Sequence, residues 1–157
     1  DDPRNKSRGA GWEYVHVAID DYSRLAYAET LEDSTARTCA AFMIRALRFF
    51  RQHGIHAQRV MTDNGTSYVS RYFAKIMRWL GLKHKRTKPY TPRTNGKAER
   101  FIRTLLNEWA YARAYPSSDE RAKALPTFID FYNNIRKHGG INYQTPVTRC
   151  PIPEQPL

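Results

Sequence analysis

The first ordered pattern in the chain is a pair of β-rich runs. Tyr14-Val15-His16-Val17-Ala18-Ile19 and Leu25-Ala26-Tyr27-Ala28-Glu29-Thr30 flank Asp20-Asp21-Tyr22-Ser23-Arg24, which has turn chemistry. The pair predicts a hairpin. Asp33 or Ser34 can then cap a helix. Cys39, Phe42, Met43, Ala46, Leu47 and Phe50 follow at a 3.6-residue period, and Gly54 is a stop signal. Ile55 to Thr62 predicts a short strand ending at Asp63, with Asn64-Gly65 as a tight turn. Phe73, Ile76, Met77 and Leu80 mark a second helix closed by Gly81, and Leu82 to Thr87 predicts another strand. Residues 88–96 are a loop rich in breakers. Ala98, Phe101, Leu105, Trp109 and Ala112 lie on one face of a long helix. Ser117-Ser118-Asp119-Glu120 has the form of a capping box opening a last helix to about Arg136, with Pro126 expected near its start or at a kink.

Two strands followed by helices alternating with strands predict an α/β layered fold. Residues 1–11 are polar and basic and read as a linker. Residues 139–157, with four prolines, read as an irregular tail. The intervening 12–138 form the core. A chain of 157 residues fits one such domain.

Charge narrows the partners. Lys and Arg number 26 against 15 Asp and Glu, a net charge of +11, which points to polyanions. No window approaches 18 consecutive apolar residues, so no membrane partner is expected. The N-terminus shows no apolar signal-peptide core. Cys39 and Cys150 cannot build a disulfide framework or a zinc site alone, and a reducing cytoplasm suits them.

The candidate chemistry lies in two stretches, Met61-Thr62-Asp63-Asn64-Gly65 and Thr94-Asn95-Gly96-Lys97-Ala98-Glu99-Arg100. Asp63 stands where a strand stops, a position that lines sites in open α/β sheets. Glu99 falls in the first turn of a helix, near the positive end of its dipole. Two carboxylates on rigid elements suit Mg²⁺ or Mn²⁺. Taken separately, Asp before Asn-Gly is ordinary turn chemistry and Glu in a first turn is ordinary capping. Their setting raises the functional reading. Residues 83–103 contain eight cations, among them Lys85, Arg86, Lys88, Arg93, Lys97, Arg100 and Arg103, and Glu99 is the one acid. Tyr90 and Asn95 add donors able to position a DNA backbone. Lys97, Arg100 and Arg103 recur at helical spacing and could track phosphates.

These motifs resemble the catalytic core of the DDE integrase/transposase superfamily, in particular bacterial insertion-sequence transposases with a retroviral-integrase-type core. The resemblance rests on 16–24, 62–65, 86–92, 94–101 and Tyr132-Asn133-Asn134-Ile135-Arg136-Lys137-His138. It also rests on the 35 residues separating Asp63 from Glu99. It implies an α/β, RNase H-like fold with a mixed central sheet flanked by helices. Asp63 resembles the family's second catalytic aspartate and Glu99 its glutamate. Two Mg²⁺ or Mn²⁺ ions about 3.5–4 Å apart are implied for the complete enzyme. So are transposon ends and target DNA as substrates, a homo-oligomer, and a bacterial cytoplasmic location at the nucleoid. The family's first aspartate sits on a first β-strand with no counterpart in this sequence. An N-terminally incomplete core, inactive by itself, is therefore expected. A basic DNA-binding or assembly remnant and an RNase H-like nuclease are the alternatives.

Overall fold

Strand β1 (Tyr14–Ile19) pairs antiparallel with β2 (Ala26–Leu31), Tyr14 standing opposite Leu31 and Ile19 opposite Ala26. The turn between them is closed by Asp20, whose Oδ2 accepts from the Ser23 backbone N–H at 2.8 Å and from its hydroxyl at 2.7 Å. The computed structural model describes residues 14–88 and 96–151. The chain divides into two compact units. One unites this hairpin with Lys97–Cys150, and the other is built on Ser34–Gly96.

In the first unit, β2 packs against helix α4 (Ser118–Asn134). The core joins Ala26 to Phe101 and Leu105 of helix α3 (Gly96–Leu105) and to Leu125, Ile129 and Tyr132 of α4. Ser117 caps α4 as the capping box predicts, its Oγ accepting from the Glu120 N–H at 3.2 Å. Pro126 does not sit near the start. It lies eight residues after Ser118, inside the continuous helix, with its ring exposed. The long helix expected after Gly96 is divided. α3 stops at Leu105 and a π turn follows over Leu106–Ala110, with the Tyr111 N–H bonded to the Leu106 carbonyl at 3.0 Å. The wider turn seats Trp109, 3% exposed, with its Nε1–H donating to the Arg121 carbonyl at 2.9 Å. Beyond α4, short 3₁₀ turns at Gly139–Ile141 and Pro146–Arg149 bury Ile141 and Pro146.

In the second unit, helix α1 (Ala36–Gln52) is capped by Thr35 rather than Asp33 or Ser34, its hydroxyl accepting from the Thr38 N–H at 3.3 Å. Strand β3 (Arg59–Thr62) begins four residues later than the pattern suggests. It pairs parallel with β4 (Lys83–Arg86), Thr62 opposite Arg86. Helix α2 (Arg71–Trp79) connects the two strands and packs on α1 through Phe73 and Met77, which share a core with Cys39, Ala40, Met43 and Leu82. Among the described residues, sheet pairing is thus both antiparallel and parallel, in two two-stranded sheets.

Candidate functional site

Parallel strands deliver their C-terminal ends to the same side, and in open α/β folds that side is where ligands bind. Here the ends of β3 and β4 carry Thr62-Asp63 and Arg86-Thr87-Lys88. The ladder extends one step past β4: the Thr87 N–H donates to the carbonyl of Thr62, the last residue of β3, at 2.8 Å. Asn64 fastens the same corner, its Nδ2 donating to the Thr87 carbonyl at 2.7 Å. Beneath it, the Thr62 hydroxyl meets His84 Nε2 at 2.7 Å and donates to the Asp63 carbonyl at 2.9 Å.

Asp63 is exposed at this corner. Its Oδ1 accepts from the Gly65 N–H at 2.8 Å, an Asx turn that fixes the carboxylate against its own backbone. A Cβ at Gly65 would stand 3.0 Å from that oxygen, so glycine leaves the carboxylate its present position. Below the turn, Tyr68 is held well above the usual phenol range, by burial first and then by the charges of Cys39 and Asp63. His84 is pushed down by burial and by Arg86.

Lys85, Arg86 and Lys88 stand in the same unit as Asp63 and are exposed. Tyr90, Arg93 and Asn95 lie outside the described residues. Glu99, Lys97, Arg100 and Arg103 belong to α3 in the other unit, all exposed, with Glu99 in the first turn of the helix. Lys97 forms an ion pair with Asp21 of the hairpin turn. Among the described residues no group of three or more His, Cys, Asp or Glu is arranged to hold a metal ion. Asp63 in one unit and Glu99 in the other are each exposed carboxylates, the donor type that hard divalent ions take.

The C-terminal motif Tyr132–His138 turns out to be framework. Asn133 is 3% exposed and clasps β2: its Oδ1 accepts from the Ala26 N–H at 2.9 Å and its Nδ2 donates to the Ala26 carbonyl at 2.8 Å. Tyr132 packs edge-on against Phe101, and burial pushes its phenol up to about 12. Arg136 grips Glu108 of the π turn with two bonds of 2.7 and 2.8 Å. His138 bonds the Tyr132 carbonyl at 3.1 Å and is lowered chiefly by burial. His16, bonded to the Asp33 carbonyl at 2.9 Å, is likewise structural. Sequence reasoning had no means of finding what Asn133 and Glu108 grip, because their partners are remote in the chain.

An integrase core domain family model matches residues 4–92, and a second integrase core domain model matches 80–146. The chain is 31% identical over 136 residues to the transposase InsD for insertion element IS2 of Escherichia coli, covering 84% of this chain and 45% of that protein. It is 30% identical over 133 residues to the Caenorhabditis elegans protein K02A2.6, covering 85% of this chain and 10% of that one. The chain thus spans less than half the length of each. Among solved structures, a chain of the simian T-cell lymphotropic virus intasome, in complex with the PP2A regulatory subunit B56 gamma, superposes with a TM-score of 0.73 at 22% identity. That match covers 93% of this chain and 53% of that one. The HTLV-2 integrase catalytic core domain, in complex with magnesium in a dimeric form, gives 0.67 at 17% identity, covering 92% of this chain and 90% of that one. These likenesses show the RNase H-like fold. With more than half of its length matched by one family model, the chain belongs to the integrase core domain family.

Proposed function

We propose that the chain is the catalytic-core part of a metal-dependent enzyme that cleaves and transfers DNA strands. The observation that carries this reading is Asp63, held by an Asx turn at the shared end of two parallel strands, beside Arg86 and Lys88. Asp63 and Glu99 are the residues that would hold Mg²⁺ or Mn²⁺. Two such ions, when bound, activate water and stabilise the attacking and leaving oxygens of an in-line displacement. The protein's own residues bind and orient. Lys85, Arg86 and Lys88 in one unit, and Lys97, Arg100 and Arg103 in the other, neutralise backbone phosphates, and Tyr90, Arg93 and Asn95 extend that contact. The Asp21 ion pair with Lys97 must yield for that lysine to reach phosphate. Transposon ends and target DNA are the substrates, a homo-oligomer is the working form, and the place of action is the bacterial nucleoid.

The test separates metal binding from DNA binding. Loss of the free Mn²⁺ electron-paramagnetic signal on adding protein reports the first, and anisotropy of a labelled duplex reports the second. Asp63→Asn is expected to weaken Mn²⁺ binding at least about tenfold with duplex affinity retained. Duplex binding together with Mn²⁺ binding that Asp63→Asn leaves unchanged would favour a DNA-binding module without catalysis.

A further inference from the structure

The corner where β3 ends is held at its surface and again beneath it. At the surface, the backbone rung from Thr87 and the Asn64 amide fasten β3 to β4. Beneath them the contact runs through side chains. Thr62, the last residue of β3, is 7% exposed. Its Oγ1 lies 2.7 Å from His84 Nε2 and 2.9 Å from the Asp63 carbonyl oxygen. His84 stands two residues before Arg86, the register partner of Thr62, so the two side chains share one face of the parallel ladder. On that face the imidazole packs edge-on against Phe73 of α2, with ring centroids 5.0 Å apart. All of these residues belong to the unit built on Ser34–Gly96.

The proton count fixes which group gives and which receives. A threonine hydroxyl has one proton and two lone pairs. The Thr62 proton goes to the Asp63 carbonyl, which has none to offer. The bond to His84 therefore requires that Nε2 carry its hydrogen and that Thr62 accept it. A ring with Nε2 bare would compete for the same hydroxyl proton and release the Asp63 carbonyl. That carbonyl is one of two handles on Asp63. The other is Oδ1, which accepts from the Gly65 N–H at 2.8 Å. With both handles held, the peptide plane after Asp63 and its carboxylate are fixed together.

We propose that His84 and Thr62 are positioning residues: the imidazole N–H orients the Thr62 hydroxyl, the hydroxyl pins the Asp63 carbonyl, and the Asp63 carboxylate is thereby aimed at a divalent ion. This role rests on the reading of Asp63 as a metal ligand, and it needs neither residue to touch the ion.

The experiment has a metal-free arm and a metal arm. In the first, ring-nitrogen shifts of His84, read by NMR on the parent chain in EDTA, should show hydrogen on Nε2. A neutral ring with its hydrogen on Nδ1 alone overturns the proposal. In the second, the Mn²⁺ electron-paramagnetic titration is run on Thr62→Val, Thr62→Ser, His84→Leu and the Thr62→Val, His84→Leu double variant, with circular dichroism verifying that each is folded. Thr62→Val and His84→Leu should each weaken Mn²⁺ binding about tenfold, the low end for residues that orient a metal ligand. The double variant should lose no more than Thr62→Val alone, because the two groups act in series. Thr62→Ser keeps the hydroxyl and should bind as the parent does. Losses that add in the double variant overturn the proposal. Melting temperatures that fall while Mn²⁺ affinity holds also overturn it, and leave the pair a merely structural contact. If Asp63→Asn weakens Mn²⁺ binding and these variants do not, this role fails and the metal reading of Asp63 stands. If Asp63→Asn leaves Mn²⁺ binding unchanged, both fail.

Discussion

Replacing Asn133 tests the clasp between α4 and the hairpin. The side chain supplies both hydrogen-bond partners of Ala26, a residue 0% exposed, at 2.9 and 2.8 Å. Two such bonds contribute about 1 kcal/mol each when a side chain is simply removed, and about 1–3 kcal/mol each where the remaining partner is left buried and unsatisfied. In Asn133→Ala the buried Ala26 N–H and carbonyl both lose their partner, so a loss of about 3 kcal/mol is expected. For a chain of this size that lowers the melting temperature by about 6–12 °C, read by circular dichroism. Asn133→Asp is the sharper variant. It keeps the acceptor for the Ala26 N–H but points a second acceptor at the Ala26 carbonyl. Its deficit should match or exceed that of alanine near neutral pH, and should shrink in acid as the carboxyl gains a proton and becomes a donor. An alanine variant that loses less than about 1 kcal/mol, or an aspartate variant as stable as the parent at neutral pH, would refute the reasoning.

Two further outcomes are expected. His138 is lowered from 6.5, chiefly by burial, so the unfolded chain binds the proton first. Its contribution is complete above the unfolded value and is lost as pH falls through 6.5 toward the folded one. The melting-temperature gap between the parent and His138→Gln should therefore narrow between about pH 7.5 and about pH 5, and a constant gap would contradict this. Gly65→Ala should push on Asp63 Oδ1, 3.0 Å from the new Cβ, and weaken Mn²⁺ binding while shifting the melting temperature by no more than about 2 °C. Unaltered Mn²⁺ affinity would show that the Asx turn does not set the carboxylate.

Local chemistry was legible in the sequence where the cause is local. The hairpin, the Ser117 cap and the inward faces of α1 and α2 follow from periodicity and short-range hydrogen bonding. Asp63 was legible for the same reason, since a strand end followed by Asn-Gly dictates an exposed carboxylate held by an Asx turn. The cap of α1 was misplaced by one or two residues because Asp33, Ser34 and Thr35 are all competent, and only the first-turn N–H groups select among them. Trp79 departs from the Phe73, Ile76, Met77 and Leu80 spacing of α2, and seven residues after Tyr72 it falls on the solvent side, 75% exposed. Asn133 and Arg136 stand in a motif the sequence shows, but what each of them grips could not be read. Their partners lie 107 and 28 residues away, and no periodicity encodes such distances.

The π turn at Leu106–Ala110 is in effect one residue wound into a helix without lengthening its hydrogen-bonded path. Its own Glu108 and Trp109 both find partners on or just beyond α4, one at Arg136 and the other at Arg121. Excising a single amino acid there would restore regular winding with the flanking segments kept in phase, because the wider turn absorbs the extra residue. The cost would fall inside the turn, where the indole and the carboxylate would be re-aimed away from Arg121 and Arg136. Loss of one codon in this stretch should thus cost the two anchors on and beyond α4 while sparing the register of the rest.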